Sequence, residues 1–426
     1  MGWARGHRRR WLSGALGLMV VAMLCVGVGL ATHPATLTAD SAAAARAGSG
    51  SGSGSGPAPQ GDSAAPPTVA AVPRPVVLIT PDSGTALNPT DPIVVKVERG
   101  TAHSVVVTNS KTGTAVPGKL TKDGSSWTSS GTLAYGATYD VAVDSVATDG
   151  SADHQTGTVH TISPSAQAYP SFIPAPNQPS VGVGQPIVVR FDHPIHDRAT
   201  AEKDLSVTAS PPQPGGWYWL SNTEVHYRPQ SYWRPGTTIT VKANLFGVDL
   251  GSGVYGATDR TETVHVHDAW IAKADGKTDQ MQIFDNGALV KTMPISLGSP
   301  GFPSHTGPHV ITDKQPSVIM DSCTYGVCQG QPGYYREQVN LDERISNDGE
   351  FVHSAPWSVD QQGSDNVSHG CVNLSPDNAQ WFFDHFNIGD VVEITNSGGP
   401  PLPIDDTYGD WELSWSQWQA GSALNS

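Results

Sequence analysis

Two pairs of similar segments recur about one hundred residues apart, and this repeat constrains the fold more than any other feature of the chain. The segment "DPIVVKV" (91–97) matches "QPIVVRF" (185–191), and "LAYGATYDVAV" matches "YWRPGTTITVKA". A period of this length indicates tandem domains, because the units of solenoid proteins are shorter. Apolar and polar residues alternate within each copy, and turn-forming residues separate the runs, as in β-strands. We therefore predict two immunoglobulin-like β-sandwiches, at residues 72–165 and 166–268.

The composition also favours strands over helices. Charged residues make up 15% of the chain, whereas Gly and Pro number 46 and 34. Frequent turn residues favour many short strands, and 426 residues are too many for one compact core. We predict a mainly β fold in which the two sandwiches precede a third, β-rich domain with one or two short helices at 269–396. A C-terminal extension at 397–426 is expected to pack on the folded domains.

The N-terminal region predicts export. Residues 11–31 form an uncharged apolar run preceded by "RGHRRR", and the run is long enough to cross a hydrocarbon core of about 30 Å as a helix. The arginines predict that residues 1–10 stay in the cytoplasm while the rest of the chain is exported. The Gly/Ser/Pro-rich residues 32–71 predict a flexible linker. The length of the run favours an uncleaved membrane anchor, and a cleaved signal segment is the alternative.

Local patterns predict three elements of the third domain. The segment "MQIFDNGALVKTMPISLG" predicts a hairpin with its turn at Asn286 and Gly287. Ser375 and Pro376 are suited to the N-cap and first position of a helix over "SPDNAQWFFDHF". Between them, the aromatic and Gly-rich "PSVIMDSCTYGVCQGQPGYYREQ" predicts a loop or hairpin that covers a site.

The segment "FVHSAPWSVDQQGSDNVSHGCVNLSPDN" holds the residues with the clearest chemical potential. It places His353, His369 and Cys371 within nineteen residues. In an extended segment His369 and Cys371 project to the same side, and Cys371 precedes the predicted helix. A helix N-terminus and a nearby imidazolium both lower the pKa of a thiol, so the pattern favours a reactive nucleophile. A buried structural cysteine and a zinc ligand acting with both histidines are the alternatives.

The cysteine count supports a free thiol at position 371. The chain has four cysteines, of which Cys25 lies in the apolar N-terminal run. Thiols of exported proteins tend to pair, and Cys323 and Cys328 are close enough in sequence to form a small disulfide within the predicted lid. Cys371 is then the unpaired thiol. Pairing of Cys371 with either lid cysteine is the alternative.

Three other features receive structural interpretations. Asp249, in the Gly-rich "FGVDLGSGVYGATD", is a weak cation candidate, and a plain turn is favoured because regular acidic spacing is missing. Trp217 and Trp219 alternate on one face of a predicted strand, which favours a core position over a sugar-binding platform. The tryptophans around "WELSWSQW" recur at helical spacing and are expected to share one face of a short helix packed on a neighbouring domain.

The segment "HSAPWSVDQQGSDNVSHGCVNLS" closely resembles the active-site signature of the L,D-transpeptidases, which carry a YkuD-type catalytic domain. The variant is similar to that of mycobacterial and related actinobacterial enzymes. The order of a membrane anchor, a linker, two immunoglobulin-like domains, a catalytic domain and a short extension also resembles that subfamily. The resemblance therefore covers nearly the whole chain.

This resemblance implies the formation of 3→3 cross-links in peptidoglycan. Cys371 would attack the third residue of a donor tetrapeptide stem with release of the terminal D-Ala, and an acceptor stem would resolve the thioester. His353 would act as the base, and Ser354 would orient it through a hydrogen bond. Main-chain amides of His369, Gly370 and Cys371 would form the oxyanion hole. The His369 side chain would support local structure and electrostatics.

The resemblance also implies a substrate pocket beneath a lid. Many family members have Arg two residues after the cysteine, and this chain has Asn373, so recognition of the donor carboxylate is expected to differ. No cofactor is implied, and carbapenem-type β-lactams are expected to acylate the cysteine. The expected lid, pocket and donor-border residues are Met320, Tyr325, Tyr335, Asp348, Gly349, Trp357, Ser368 and Asn373.

Two other functions are compatible with the sequence. The same acyl-enzyme could pass to water, as in an L,D-carboxypeptidase or cysteine peptidase. Alternatively, the tandem β domains could serve a non-enzymatic scaffold that binds the cell wall. The formal net charge of −15 argues against nucleic acid as a partner. We expect a monomer in the cell envelope, outside the cytoplasm.

Overall fold

The computed structural model describes residues 74–82 and 84–425 of the chain. Strands dominate this part, as the mainly β prediction requires, and α-helices are few and short. Within these residues no helix is long and apolar enough to cross a membrane. The predicted n-region and anchor (1–31) and the predicted linker (32–71) lie outside the described residues.

The first immunoglobulin-like domain is a sandwich of two sheets with strand orders β1-β2-β5-β4 and β3-β6-β7. Its strands are β1 (Val76–Thr80), β2 (Val94–Glu98), β3 (Gly100–Asn109), β4 (Gly118–Leu120), β5 (Ser126–Ser129), β6 (Thr138–Ala147) and β7 (Ala152–His160). Every second residue of β6 is buried, including Tyr139, Val141 and Val143. This alternation supplies one wall of the core, and Trp127 of β5 packs within the same cluster.

The second domain repeats this architecture with one added helix. Its main sheets have the orders β12-β13-β10-β9 and β11-β14-β16, and β8 pairs with β15 in parallel. Its elements are β8 (Ala166–Ala168), β9 (Pro170–Ile173), β10 (Ile187–Phe191), α1 (Arg198–Lys203), β11 (Leu205–Ser210), β12 (Gly215–Trp219), β13 (Glu224–Pro229), β14 (Thr238–Asn244), β15 (Val254–Gly256) and β16 (Asp259–His265). Trp217 and Trp219 are buried in this core, as predicted.

The third domain packs two sheets and a helix around its own core. The sheets have the orders β19-β18-β17-β25-β20 and β21-β22-β23-β24. Its elements are β17 (Trp270–Asp275), β18 (Gln280–Asp285), β19 (Ala288–Pro294), β20 (Gly307–Val310), β21 (Asp313–Asp321), β22 (Arg336–Arg344), β23 (Phe351–Ser354), β24 (Val372–Leu374), α2 (Pro376–His385) and β25 (Val391–Thr395).

Two local predictions for this domain are confirmed. Asn286 and Gly287 join β18 to β19 with φ values of 48° and 85°, which is the left-handed backbone that a tight hairpin turn requires. The Ser375 hydroxyl accepts a hydrogen bond from the amide of Asn378, and Pro376 is the first residue of α2. Helix α2 buries Phe382 and Ala379 against the core beside β23 and β24.

The second and third domains meet through closely packed main chains. The amides of Gly182 and Gly184 donate to the carbonyls of Ile388 and Gly389, both at 2.9 Å. A Cβ atom on Gly182 would lie 2.2 Å from the amide nitrogen of Asp390, so only glycine fits this junction. The immunoglobulin-like domain thus holds the catalytic domain at the loop preceding β25.

The C-terminal segment packs on β12 and β13 of the second domain. A 3-10 turn (Gly409–Glu412) precedes α3 (Trp415–Gln419), so Trp411 lies outside the helix and the expected common helix face is wrong for that residue. All three tryptophans instead surround one guanidinium, that of Arg228, which lies 4.7 Å from the ring centroid of Trp411 and 4.4 Å from that of Trp418. Cation–π contacts and the buried Trp418 hold the extension in place.

Candidate active site

Two short parallel strands bring the predicted catalytic residues together. In the register of β23 and β24, His353 pairs with Asn373 and Val352 pairs with Val372, so Cys371 immediately precedes its strand beside Phe351. The segment around Gly370 is bent rather than extended, because Gly370 has a φ of +117°. The condition of an extended segment is therefore not met, yet His369 and Cys371 line the same cavity.

This cavity measures about 270 Å³ and unites most of the predicted site. It is lined by Met320, Tyr335, Glu337, Val339, His353, Trp357, Val367, Ser368, His369, Cys371 and Asn373. Sequence reasoning missed Glu337, Val339 and Val367. The first two follow Tyr335 at intervals of two along β22, so strand periodicity could have placed them on its face.

Gly349 and Asp348 do not line this cavity. Gly349 lines a neighbouring cavity of about 190 Å³ that shares Met320 and Tyr335 with the first. Asp348 lines neither cavity. Its carboxylate accepts a hydrogen bond from the Ser346 hydroxyl and lies 3.6 Å from Nδ1 of His305. Asp348 therefore belongs to a polar cluster beside the site rather than to its wall.

The lid connects β21 to β22. It contains a 3-10 turn (Ser322–Tyr325), and a disulfide joins Cys323 to Cys328. The Ser322 hydroxyl accepts from the amide of Tyr335 and donates to the carbonyl of Val327, which ties the base of the lid together. The side chain of Tyr325 lies outside those that the structure describes.

Two aromatic rings flank the imidazole of His369. The Phe302 ring lies 4.9 Å from that of His369, and Tyr335 lies 5.2 Å from the same imidazole. His369 is thus packed between two aromatic rings, which fits a structural role. Phe302 was not identified from the sequence, because it has no motif around it.

Cys371 is a free and buried thiol with 4% of its surface exposed. Burial raises the pKa of this thiol to about 12, against a smaller opposing effect of the Phe351 amide. The Sγ atom donates a weak hydrogen bond to the carbonyl of Gly349 at 3.7 Å. The expectation of a low thiol pKa from the helix N-terminus and an imidazolium is wrong, because desolvation dominates at this position.

His353 has a neutral imidazole that could act as a base. Burial lowers the pKa of its imidazole to about 4, although hydrogen bonds with the Ser354 carbonyl and the Asn373 side chain oppose this shift. Nδ1 donates to the main-chain carbonyl of Ser354 at 3.0 Å. A carbonyl can only accept, so the neutral ring carries its proton on Nδ1 and leaves Nε2 as the basic nitrogen. The resting site therefore holds a neutral thiol and a neutral imidazole.

Ser368 fixes the loop that carries the cysteine. Its hydroxyl accepts from the amide of Gly370 at 3.1 Å and donates to the carbonyl of Cys371 at 2.7 Å. The Ser304 hydroxyl donates to the carbonyl of Gly370 at 2.6 Å. The amide of Gly370 is therefore occupied, which corrects its expected place in the oxyanion hole.

Asn373 is held from both sides at the floor of the cavity. Its Nδ2 donates to the Ser358 hydroxyl at 3.0 Å, and its main-chain amide donates to the carbonyl of Ser296 at 2.9 Å. A neutral amide thus stands where many family members have a guanidinium.

No cation site is assembled in the part of the chain that the structure describes, since no three His, Cys, Asp or Glu side chains there are placed to hold a metal ion. The Asp249 carboxylate accepts from the amide of Gly251 at 2.9 Å and from the Tyr255 hydroxyl at 3.3 Å. These bonds within the loop fit a turn.

Comparison with known proteins shows which proteins the chain is similar to. Residues 269–394 match the model of the L,D-transpeptidase catalytic domain, and residues 84–249 match the model of a bacterial Ig domain. The chain is 40% identical over 418 residues to L,D-transpeptidase 2 of Mycobacterium tuberculosis, covering 98% of this chain and 96% of the relative. It is 34% identical to L,D-transpeptidase 5 of the same species, covering 80% and 76%. A solved LD transpeptidase in complex with imipenem matches with 35% identity and a TM-score of 0.48, covering 55% of this chain and all of that one.

Proposed function

The chain belongs to the L,D-transpeptidase family, and from this premise we propose that it forms 3→3 cross-links between peptidoglycan stems through an acyl-enzyme on Cys371. One observation carries the proposal. A free buried thiol and a neutral imidazole line one cavity, and the imidazole is oriented by a carbonyl. Their presence in one cavity supports the assignment of Cys371 as nucleophile and His353 as its general base.

Acylation breaks one peptide bond and forms one thioester. The Cys371 sulfur attacks the carbonyl carbon of the third residue of a tetrapeptide stem while Nε2 of His353 takes the thiol proton. The tetrahedral intermediate then collapses, and His353 returns that proton to the amine of the departing D-Ala. The stem remains on the sulfur as a thioester.

Deacylation uses the same base, but the proton now moves from the attacking amine to the sulfur. The side-chain amine of a diaminopimelate in the acceptor stem attacks the thioester carbon, and Nε2 of His353 takes a proton from that amine. When the carbon–sulfur bond breaks, His353 returns the proton to the sulfur. The new amide joins the third residues of the two stems, and the thiol is restored.

The protonation states favour coupled proton transfer over a preformed ion pair. The pKa of Cys371 is raised to about 12 and that of His353 is lowered to about 4, so the neutral pair is strongly preferred in the free enzyme. The thiol therefore loses its proton only as the sulfur attacks. The developing oxyanion is then stabilised by the main-chain amides of His369 and Cys371, since that of Gly370 already binds Ser368.

The walls of the cavity suit an extended peptide. Trp357 is 55% exposed and lies beside His353, with the two rings tilted and their centroids 5.9 Å apart, which offers an apolar surface for the stem. Asn373 supplies an amide at the floor, and Met320 and Tyr335 separate this cavity from the one lined by Gly349. We assign the donor and acceptor stems to these two cavities.

Inhibition and location follow from the same chemistry. A β-lactam carbonyl is an activated acyl donor, so a carbapenem that enters the cavity acylates Cys371.

Peptidoglycan lies outside the cytoplasm, so the enzyme works in the cell envelope. The apolar residues 11–31 would then anchor it to the membrane, and residues 32–71 would carry the folded domains away from the bilayer.

Incubation of the chain with a disaccharide-tetrapeptide tests the proposal, with products analysed by mass spectrometry. We expect a cross-linked dimer and free D-Ala from the wild type and neither from Cys371→Ala. A shortened tripeptide with no dimer would assign the hydrolytic activity instead. No reaction by the folded and reduced wild type would reject both.

A further inference from the structure

A buried carboxylate that is hydrogen-bonded to His305 packs against the loop that carries Cys371. Glu350 is 5% exposed. Its Oε1 accepts from the main-chain amide of His305 at 2.8 Å and lies 3.1 Å from Nδ1 of the same residue. Its Oε2 lies 3.3 Å from Nε2 of His309. The carboxylate is therefore fixed in one orientation within the third domain.

Glu350 lies directly against the residue that precedes the nucleophile. A Cβ atom placed on Gly370 would lie 3.3 Å from Oε1 of Glu350 and 3.4 Å from its Cγ. The two neighbours of Glu350 in the chain both contact the Cys371 sulfur, because the Gly349 carbonyl lies 3.7 Å from Sγ and the Phe351 amide points at it. A shift of Glu350 would therefore move both partners of the sulfur.

Two consecutive residues, Ser304 and His305, connect the Glu350 carboxylate to the loop that precedes Cys371. The Ser304 hydroxyl donates to the carbonyl of Gly370, and the next residue, His305, donates its amide to Glu350. Ser304 and His305 thus join the loop before Cys371 to residues 349–351, which contact its sulfur.

We propose that Glu350 is a positioning residue for the nucleophile: held by the amide and imidazole of His305, its carboxylate fixes the main chain around the Cys371 sulfur and places a negative charge beside the thiol. The inference rests on the proposed role of Cys371 as nucleophile. It adds a group that neither the motif nor the cavity lining identifies, since Glu350 lies outside the cavity wall.

The charged groups around Glu350 come from several elements of the chain. Burial disfavours the carboxylate, but the hydrogen bonds from His305 and the contact with His309 outweigh burial and hold the pKa of Glu350 below its usual value. The same hydrogen bond raises the pKa of His305. Other charged groups facing the cluster or the thiol are Asp348 and Asp406 beside His305, Glu412 beside both imidazoles, and Asp342 and Arg344 near Cys371.

The test measures the reactivity of Cys371 towards iodoacetamide from pH 6 to 10 in the full chain, read by mass spectrometry of the peptide that contains Cys371. Glu350→Gln keeps the size and the acceptor oxygen but removes the charge. We expect its rate–pH profile to move to lower pH by about one unit, because a like charge no longer opposes the thiolate. Glu350→Ala removes the clamp as well, and its acylation by a carbapenem should fall about tenfold.

Glu224→Gln is the matched control, because Glu224 contacts the buried His226 at 2.8 Å in the second immunoglobulin-like domain. It should leave the alkylation profile unchanged. Superimposable profiles for the wild type and Glu350→Gln would overturn the proposal. Carbapenem acylation of Glu350→Ala at the wild-type rate would also overturn it, since the loop would then hold the nucleophile without the carboxylate. Alkylation needs no substrate, so it remains informative even if the wild type fails to cross-link stems.

Discussion

Nδ1 of His353 donates its hydrogen bond to the main-chain carbonyl of Ser354, at 3.0 Å. In a serine-protease triad a carboxylate side chain performs this task and stabilises the imidazolium. A carbonyl fixes the tautomer and the ring orientation but brings no full charge. The lowered pKa of His353 agrees with this difference, and the role of Ser354 is assigned to its backbone rather than its hydroxyl.

Replacement of Ser354 by alanine should therefore have little effect on catalysis. The carbonyl that orients His353 is retained in Ser354→Ala, so we expect the rate of carbapenem acylation to stay within about threefold of the wild type. Stopped-flow fluorescence measures this rate directly. A loss of a hundredfold or more, in a variant with unchanged thermal stability, would assign the orienting role to the hydroxyl.

The pH dependence of acylation should reflect the lowered pKa of His353. The imidazole must be neutral to accept the thiol proton, and it remains neutral down to a pH of about 4. Between pH 8 and pH 5 the rate should show no loss that titrates near 6.5, the usual value for histidine. His353→Gln should lower the rate by about 10²–10⁴-fold across this range. A wild-type profile that loses half its rate near pH 6.5 would contradict the burial argument.

Asp342 should reduce stability at neutral and alkaline pH. Burial raises the pKa of this carboxyl to about 7, against the opposing amide of Val318. As pH rises from about 4 to 7, the unfolded chain releases this proton while the folded chain retains it, so the folded state is progressively disfavoured. Asp342→Asn should raise the unfolding free energy at pH 8 by roughly 2–4 kcal/mol and leave it unchanged near pH 4. Denaturant titrations at the two pH values measure the difference, and equal gains at both would refute the assignment.

The lid disulfide should influence acylation more than stability. Cys323 and Cys328 close a short loop at the edge of the fold, so opening it frees little of the chain. The lid base nevertheless contacts Tyr335, which lines the cavity. We expect the Cys323→Ser/Cys328→Ser double variant to change the carbapenem acylation rate severalfold with a small shift in melting temperature. Identical acylation rates would show that the lid reaches its shape without the bond.

The parts of the site that depend on local sequence were predictable. The hairpin at Asn286 and Gly287 and the helix start at Ser375 follow from short-range rules, and β23 and β24 carry the motif residues. The tandem sandwiches followed from the repeat, because each copy must bury the same alternating residues. The membership of His353, Ser368 and Cys371 in one cavity came from resemblance to a family rather than from spacing.

The electrostatics of the site could not be predicted, because burial is set by the whole domain. The spacing of Cys371 from α2 suggested a thiolate, whereas desolvation by the surrounding strands keeps the thiol neutral. The cluster at Glu350 was also missed, since His305 and His309 are distant in sequence and have no recognisable pattern. The amide of Gly370 was assigned to the oxyanion although Ser368 occupies it, because a motif does not specify hydrogen-bond partners.

The most direct test of the account is the intact mass of the protein after exposure to a carbapenem, measured beside Cys371→Ala. Cys371 is the one free cysteine among the described residues, and the proposal requires its sulfur to be acylated. We predict a single covalent adduct on the wild type, located on the peptide that contains Cys371, and none on the variant. An unmodified, folded and reduced wild type, or an equal adduct on Cys371→Ala, would contradict the assignment of Cys371 as the nucleophile.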